Sequence, residues 1–234
     1  SRTGAFSARR WMGTERGAIL KKLIADFRDK LSDKANIKPL LDNSLKQVQS
    51  LPIPEQELFF KYLLMNASRK KLDIEHLVEL KNQTQLKIMP HLLIEIDLLE
   101  LMGIKDPVKK EKLFEESFGR LNLIDSKLTK NHQTGMFNLA FGDYSMRTNQ
   151  MDRAVKCFEQ AIACFEENIP LHKQELEKLL KNPPKENSDK RIIKHFQIHL
   201  KGLKEMLKGY IEKIGMSCID LFVVHYDLKN FDKC

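Results

Sequence analysis

The sequence predicts an all-α protein: antiparallel helical hairpins followed by a long C-terminal helix. Three observations carry that expectation. Apolar residues recur at spacings of three and four through most of the chain, the period of a helix with one buried face. Prolines, and Asp, Asn or Gly, stand at the breaks between those stretches, where helices start and stop. The stretch from Asn138 to Glu167 reads as two amphipathic helices folded back on each other.

Taken in order, the first thirteen residues form a basic segment, expected to be extended. It has three arginines, Arg2, Arg9 and Arg10, two aromatics, Phe6 and Trp11, and no acid. An Arg- and Ser-rich, acid-poor segment looks like the remnant of a mitochondrial targeting sequence, or equally like a boundary inside a longer protein. Phe6 and Trp11 are candidate anchors on a neighbour. The arginines are candidates for meeting acidic groups or lipid phosphates.

A helical region is expected over residues 14–181. In Glu15 to Ser32 the stripe Ile19, Leu20, Leu23, Ile24, Phe27 and Leu31 marks the first helix. Asn36 to Ser50 is the second, with Pro39 tolerated in its first turn. Leu51 to Pro54, LPIP, is a stiff turn, because each proline fixes φ and removes a donor. Glu55 to Lys70 is the third helix, and Asp73 caps a short fourth ending near Lys81. Thr84 to Ile104 carries the most apolar face, including Leu92, Ile96 and Met102, and Pro90 either starts this helix or kinks it. Asp106 and Pro107, a cap and a first-turn proline, open the next helix, Val108 to Asp125. Together these two read as a degenerate hairpin unit. A Pro-containing linker is expected at 182–188. A C-terminal helix and tail follow at 189–234, with residues 214–234 open between helix and extended arm.

The hairpin stretch is the most informative. Gly142 sits mid-helix, where glycine costs roughly 1 kcal/mol against alanine unless a neighbouring helix needs the space. Asn149 falls at the break and tolerates a left-handed helix end. Asp152 helps start the next helix. Ala154, Phe158, Ala161 and Phe165 then line one face, small and large alternating. Gly142, Ala154, Phe158 and Ala161, with Phe141 beside them, resemble a tetratricopeptide repeat over about 34 residues, the period of that family. Ser145 stands where the family has tyrosine, and Glu166 where it has its closing proline. Pro170 comes four residues later, which implies an extended second helix. The resemblance implies a repeat-like array and a groove lined by first helices, in which family members bind peptides. In this chain Leu139, Asp143 and Met146 line that groove. Leu139 and Asp143 replace two ligands of the subclass that clamps a C-terminal carboxylate. An apolar and an acidic residue cannot do that, so chaperone-tail binding is rejected.

Composition narrows the class. The chain has 234 residues, 42% hydrophobic and 31% charged, with a net charge of +8. The excess lysines are spread over nearly every segment and mixed with acids, as on solvated helix faces. The four cysteines, Cys157, Cys164, Cys218 and Cys234, make no CxxC pair, which fits a reducing compartment. No run reaches the roughly 18 apolar residues of a membrane span. His195 and His199 are four apart on one helix, a metal-ligand spacing, but no glutamate follows the first and no third ligand is near. The phosphate-loop, dinucleotide and nucleophile-elbow motifs do not occur. No catalytic residue, cofactor, metal or small-molecule substrate is therefore expected.

The functional expectation is a non-catalytic accessory subunit binding other proteins in a large mitochondrial assembly, most of all a respiratory-chain or ATP synthase complex. It is placed on the soluble face of the inner membrane, with the matrix side favoured. The alternatives are a mitochondrial ribosomal protein, whose RNA would meet the basic C-terminal helix, and a free peptide-binding adaptor in the cytosol. Contact with anionic lipid is a further expectation from the basic charge.

Overall fold

A computed structural model describes residues 15–30, 37–68, 74–82, 84–185 and 189–228. The expectations placed on Arg2, Phe6, Arg9, Arg10, Trp11 and Cys234 lie outside those residues. The protein is all-α. The helices are α1 (Glu15–Lys30), α2 (Ile37–Val48), α3 (Ile53–Ser68), α4 (Ile74–Leu80), α5 (Thr84–Lys87), α6 (Pro90–Gly103), α7 (Pro107–Leu121), α8 (Lys127–Arg147), α9 (Met151–Lys181) and α10 (Lys190–Asp227). Among the described residues there is no strand. The chain forms two compact units that divide between Arg120 and Leu121, so the C-terminal helix belongs to the same unit as the α8–α9 hairpin.

In the first unit, α1 to α6 share one apolar core. Phe27 of α1 is fully buried and meets the rings of Phe59 and Tyr62 of α3 edge-on, at centroid distances of 6.2 and 6.3 Å. That is the favoured geometry for paired aromatics. Ile37, Leu41, Leu45 and Val48 of α2 complete one side, and Leu86, Met89, Leu92 and Ile96 the other. The LPIP turn is held by the Gln56 side chain, whose Nε2 donates to the Leu51 carbonyl at 2.7 Å. Pro90 starts α6 rather than kinking a longer helix, because it can offer no N–H to the preceding turn. Asp106 caps α7, its Oδ1 accepting from the backbone N–H of Val108 at 2.9 Å and of Lys109 at 3.3 Å. Two residues of the expected stripes face outward: Ile19 and Met102 are exposed.

Below that core lies a buried charge. Asp97 of α6 is fully inaccessible and ion-paired with Lys81, at 2.5 Å, and with Arg120 of α7. Lys81 also pairs with Glu100, Arg120 with Glu116, and the Ser117 hydroxyl lies 2.9 Å from Asp97. The network links α6 to α7.

In the second unit, α8 and α9 run antiparallel around a tight turn. Asn149 adopts φ 59°, the left-handed conformation expected of it. The close crossing anticipated at Gly142 occurs twice. An added Cβ at Gly142 would lie 2.7 Å from the Phe158 ring, and one at Gly135 would lie 2.6 Å from the Phe165 ring. The two glycines are a heptad apart, as are the two phenylalanines. Ser145, in the place of the repeat family's tyrosine, is fully buried. Its hydroxyl donates to the Phe141 carbonyl at 2.6 Å and accepts from Arg153 Nε at 2.7 Å. The Arg153 guanidinium lies over the Phe141 ring, 4.3 Å from its centroid. The helix α9 continues through Pro170 to Lys181, as the late proline implied. The segment left open at 214–234 is helical through Asp227.

Two stability outcomes follow. Gly142→Ala gains about 1 kcal/mol of helix propensity but forces a methyl into the Phe158 ring, at a cost of about 1–3 kcal/mol. It is expected to lower the urea midpoint of the second unit, and Phe158→Leu in the same chain is expected to recover part of the loss. Asp97→Ala removes the buried carboxylate shared by Lys81 and Arg120, leaving each with one more exposed partner, and is expected to cost about 3 kcal/mol. Lys38→Ala, which breaks the exposed pair with Glu79, is expected to cost under about 1 kcal/mol in the same denaturation assay.

Candidate functional site

The groove predicted to bind a partner is lined by α8, and the protein fills it with its own C-terminal helix. Leu139 and Met146 pack with Val224, Leu221 and Leu228 around the buried pair Ala154 and Phe158. Two turns further along α9, Met136 and Leu139 pack with Tyr210 and Ile214 around Ala161 and Phe165. The small residues of α9 let α10 approach, and Val224 and Tyr210 are its two most deeply buried hydrophobic side chains. Asp143 stays at the margin, paired with Arg147 of the next turn at 3.0 Å. Across from it, burial and the nearby Asp143 charge push the Asp220 carboxyl above its ordinary value. Of the three groove residues, two are therefore in an internal seam and the third is half-exposed.

The seam also holds a polar cluster that the sequence did not announce. Asn168 and His172 of α9 are buried and meet the Tyr210 hydroxyl. Asn168 Nδ2 donates to that oxygen at 3.3 Å and to the Leu128 carbonyl at 3.0 Å, and His172 Nε2 lies 3.2 Å from the hydroxyl. The Tyr210 ring lies 27° from parallel to Phe165 at 5.7 Å and meets His132 edge-on at 5.8 Å. Burial lowers His132 to about 4, helped by Lys213 and His172. Burial lowers His172 as well, against an opposing pull from Glu175. Both imidazoles are held neutral. On the same helix as His172, burial raises the thiols of Cys157 and Cys164.

Other candidates carry less. Among the described residues, no group of three His, Cys, Asp or Glu is placed to hold a metal ion, and His195 and His199 are both half-buried. Among those residues, no helix is long and apolar enough to cross a membrane. The first unit has an open cavity of about 580 Å³, walled by Leu93, Ile104 and Leu113 and rimmed by Lys87, Lys109 and Lys112. Its floor is the Asp97 network, where cations and carboxylates already pair with each other.

The surface that remains is the outer side of α10. Met216, Ile219, Phe222, Val223 and Tyr226 are exposed there, with Ile219 65% accessible. Phe222 and Tyr226 stack on each other at 6.5 Å. These residues lie in the segment whose structure the sequence left open. Their helical spacing was the signal that could have found them. Comparison of the chain with family models, with curated proteins and with solved structures finds no match.

The neutral histidines give the second unit an acid-sensitive seam. Their folded values lie below the ordinary value near 6.5, so the unfolded chain takes up protons first as pH falls. The stability they contribute is full above about pH 6.5 and is lost as pH falls toward 4. The urea midpoint of the second unit is expected to drop across that window. His132→Gln and His172→Gln are expected to flatten the drop.

Proposed function

We infer that this protein is a non-catalytic accessory subunit that binds neighbouring proteins within a large assembly. The observation that carries the reading is the long helix α10. It packs against the α8–α9 hairpin with one side and leaves nine large apolar side chains exposed, five of them between Met216 and Tyr226. Exposed apolar surface of that extent, gathered toward the end of one helix, is the mark of a surface meant for a partner. The resemblance of the α8–α9 hairpin to a tetratricopeptide repeat supports a scaffold role. Occupation of the groove by Leu221, Val224 and Leu228 argues against a free adaptor that takes peptides there.

A mitochondrial setting is the finer part of the proposal. It rests on the arginine-rich, acid-free first thirteen residues and on the basic net charge. A respiratory-chain or ATP synthase complex, with this chain on the matrix side of the inner membrane, is the first choice. The mitochondrial ribosome is a second reading, favoured by exposed lysines along α10 that suit RNA phosphates.

Native-gel separation of detergent-solubilised mitochondria, with mass spectrometry along the lane, decides between these readings. Co-migration with one energy-converting complex and no free pool is the expected result. Co-sedimentation with a ribosomal subunit, released by modest salt, would transfer the protein to the second reading. Migration as a small free species would sink both.

A further inference from the structure

The cavity of the first unit is built from side chains that the accessory role leaves unused. On α6, Leu93, Asp97, Glu100 and Ile104 recur at spacings of four, three and four, so they share one face. On α7, Lys109, Lys112, Glu116 and Arg120 recur at three, four and four and share another. The cavity is lined from both faces, and Lys81 and Lys87 add to it from the chain before α6. Leu93, Ile104 and Leu113 give it apolar walls. Its volume of about 580 Å³ falls within the roughly 300–1,000 Å³ of sites that hold small organic molecules.

The charges around it do not balance. Five cations, Lys81, Lys87, Lys109, Lys112 and Arg120, stand in the lining. Three carboxylates face them: Glu100 and Glu116 in the lining, and Asp97 buried beneath. Asp97 is shared by Lys81 and Arg120, Glu100 pairs with Lys81, and Glu116 pairs with Arg120 and Lys112. Every carboxylate is engaged, and two positive charges are left over. Among the described residues, the ammonium groups of Lys87 and Lys109 make no ion pair.

We propose that this cavity binds a small organic anion, an apolar body that ends in a negatively charged head. The head meets Lys87, Lys109 and Lys112 at the rim, and the body lies against Leu93, Ile104 and Leu113. An inorganic anion would leave the apolar walls wet. A neutral apolar molecule would leave the surplus charge unanswered, and a cation would add to it. Such a site stands independently of the accessory-subunit role, because it lies wholly in the first unit, whereas the exposed apolar residues of α10 belong to the second.

Calorimetric titration of the full chain with octyl phosphate tests it, since a phosphate monoester carries about two negative charges at neutral pH. A dissociation constant on the order of 100 μM is expected. 1-Octanol and inorganic phosphate each lack one half of the ligand and are expected to bind at least about tenfold more weakly. Lys109→Glu with Lys112→Glu is expected to weaken octyl phosphate at least about tenfold. That variant should melt near the wild-type temperature, since both side chains are exposed. Ile219→Glu with Val223→Glu, on the apolar surface of α10, is expected to leave the affinity unchanged. A diazirine-bearing octyl phosphate is expected to label peptides that contain Leu93, Ile104 or Leu113. Octanol binding as tightly as octyl phosphate, full affinity in the double lysine variant, or label confined to α10 would overturn the proposal. Binding confined to vesicles of phosphatidic acid in phosphatidylcholine would overturn it too, since a head group fixed in a bilayer cannot enter a recess.

Discussion

The second unit depends on two glycines meeting two phenylalanines. Gly135 and Gly142 give up their side chains so that the rings of Phe165 and Phe158 can lie against the α8 backbone. A heptad separates the members of each pair, and the helices run antiparallel, so the two contacts fix one register. A slip by a turn would drive both rings into neighbouring side chains. With α9 set this close to α8, its alanines Ala154 and Ala161 form a shallow floor, and α10 lies on that floor. Remove the close approach and the third helix loses its seat.

The polar cluster around Tyr210 then selects how α10 sits. Apolar packing alone tolerates sliding along a helix, because aliphatic side chains are interchangeable over a turn. A tyrosine hydroxyl between Asn168 and His172 is not interchangeable. Displaced by one turn, it would leave its own hydroxyl and the His172 Nε2 without partners, a cost of about 1–3 kcal/mol each. The cluster trades some stability, in neutral buried imidazoles, for a single seating of the longest helix. Ser145 plays the matching part in the hairpin, where its bonds to Phe141 and Arg153 tie α8 to α9.

Much of this was legible in the sequence. The all-α class, the start of α7 at Pro107, the left-handed Asn149 and the close crossing at Gly142 each follow from a local rule about backbone or side-chain size, whereas Pro90 left open whether it started or kinked its helix. Gly135 was missed although it repeats Gly142 a heptad earlier, because a glycine near polar residues reads as a flexible point until its phenylalanine is found. The polar cluster was not legible, since Asn168, His172 and Tyr210 come together only through the packing of α10 on α9. The same limit applied to the groove. Leu139 and Met146 pack against one cluster, but sequence spacing cannot say whether a ligand or another part of the chain covers such a face. The final helix was ambiguous because Leu221 to Tyr226 is rich in β-branched and aromatic residues, whose strand preference yields to the packing of Val224 and the continuity of α10.

The helix that fills the groove is tethered. Eight residues separate the end of α9 from the start of α10, and a short tether holds its cargo at an effective concentration in the millimolar range. A free peptide with the same intrinsic affinity for α8 would meet a competitor that never diffuses away. To enter at micromolar concentration it would need an affinity advantage of about a thousandfold, roughly 4 kcal/mol. The groove is thereby shielded from casual ligands, and the chain presents to its surroundings the outside of a helix in place of a cleft.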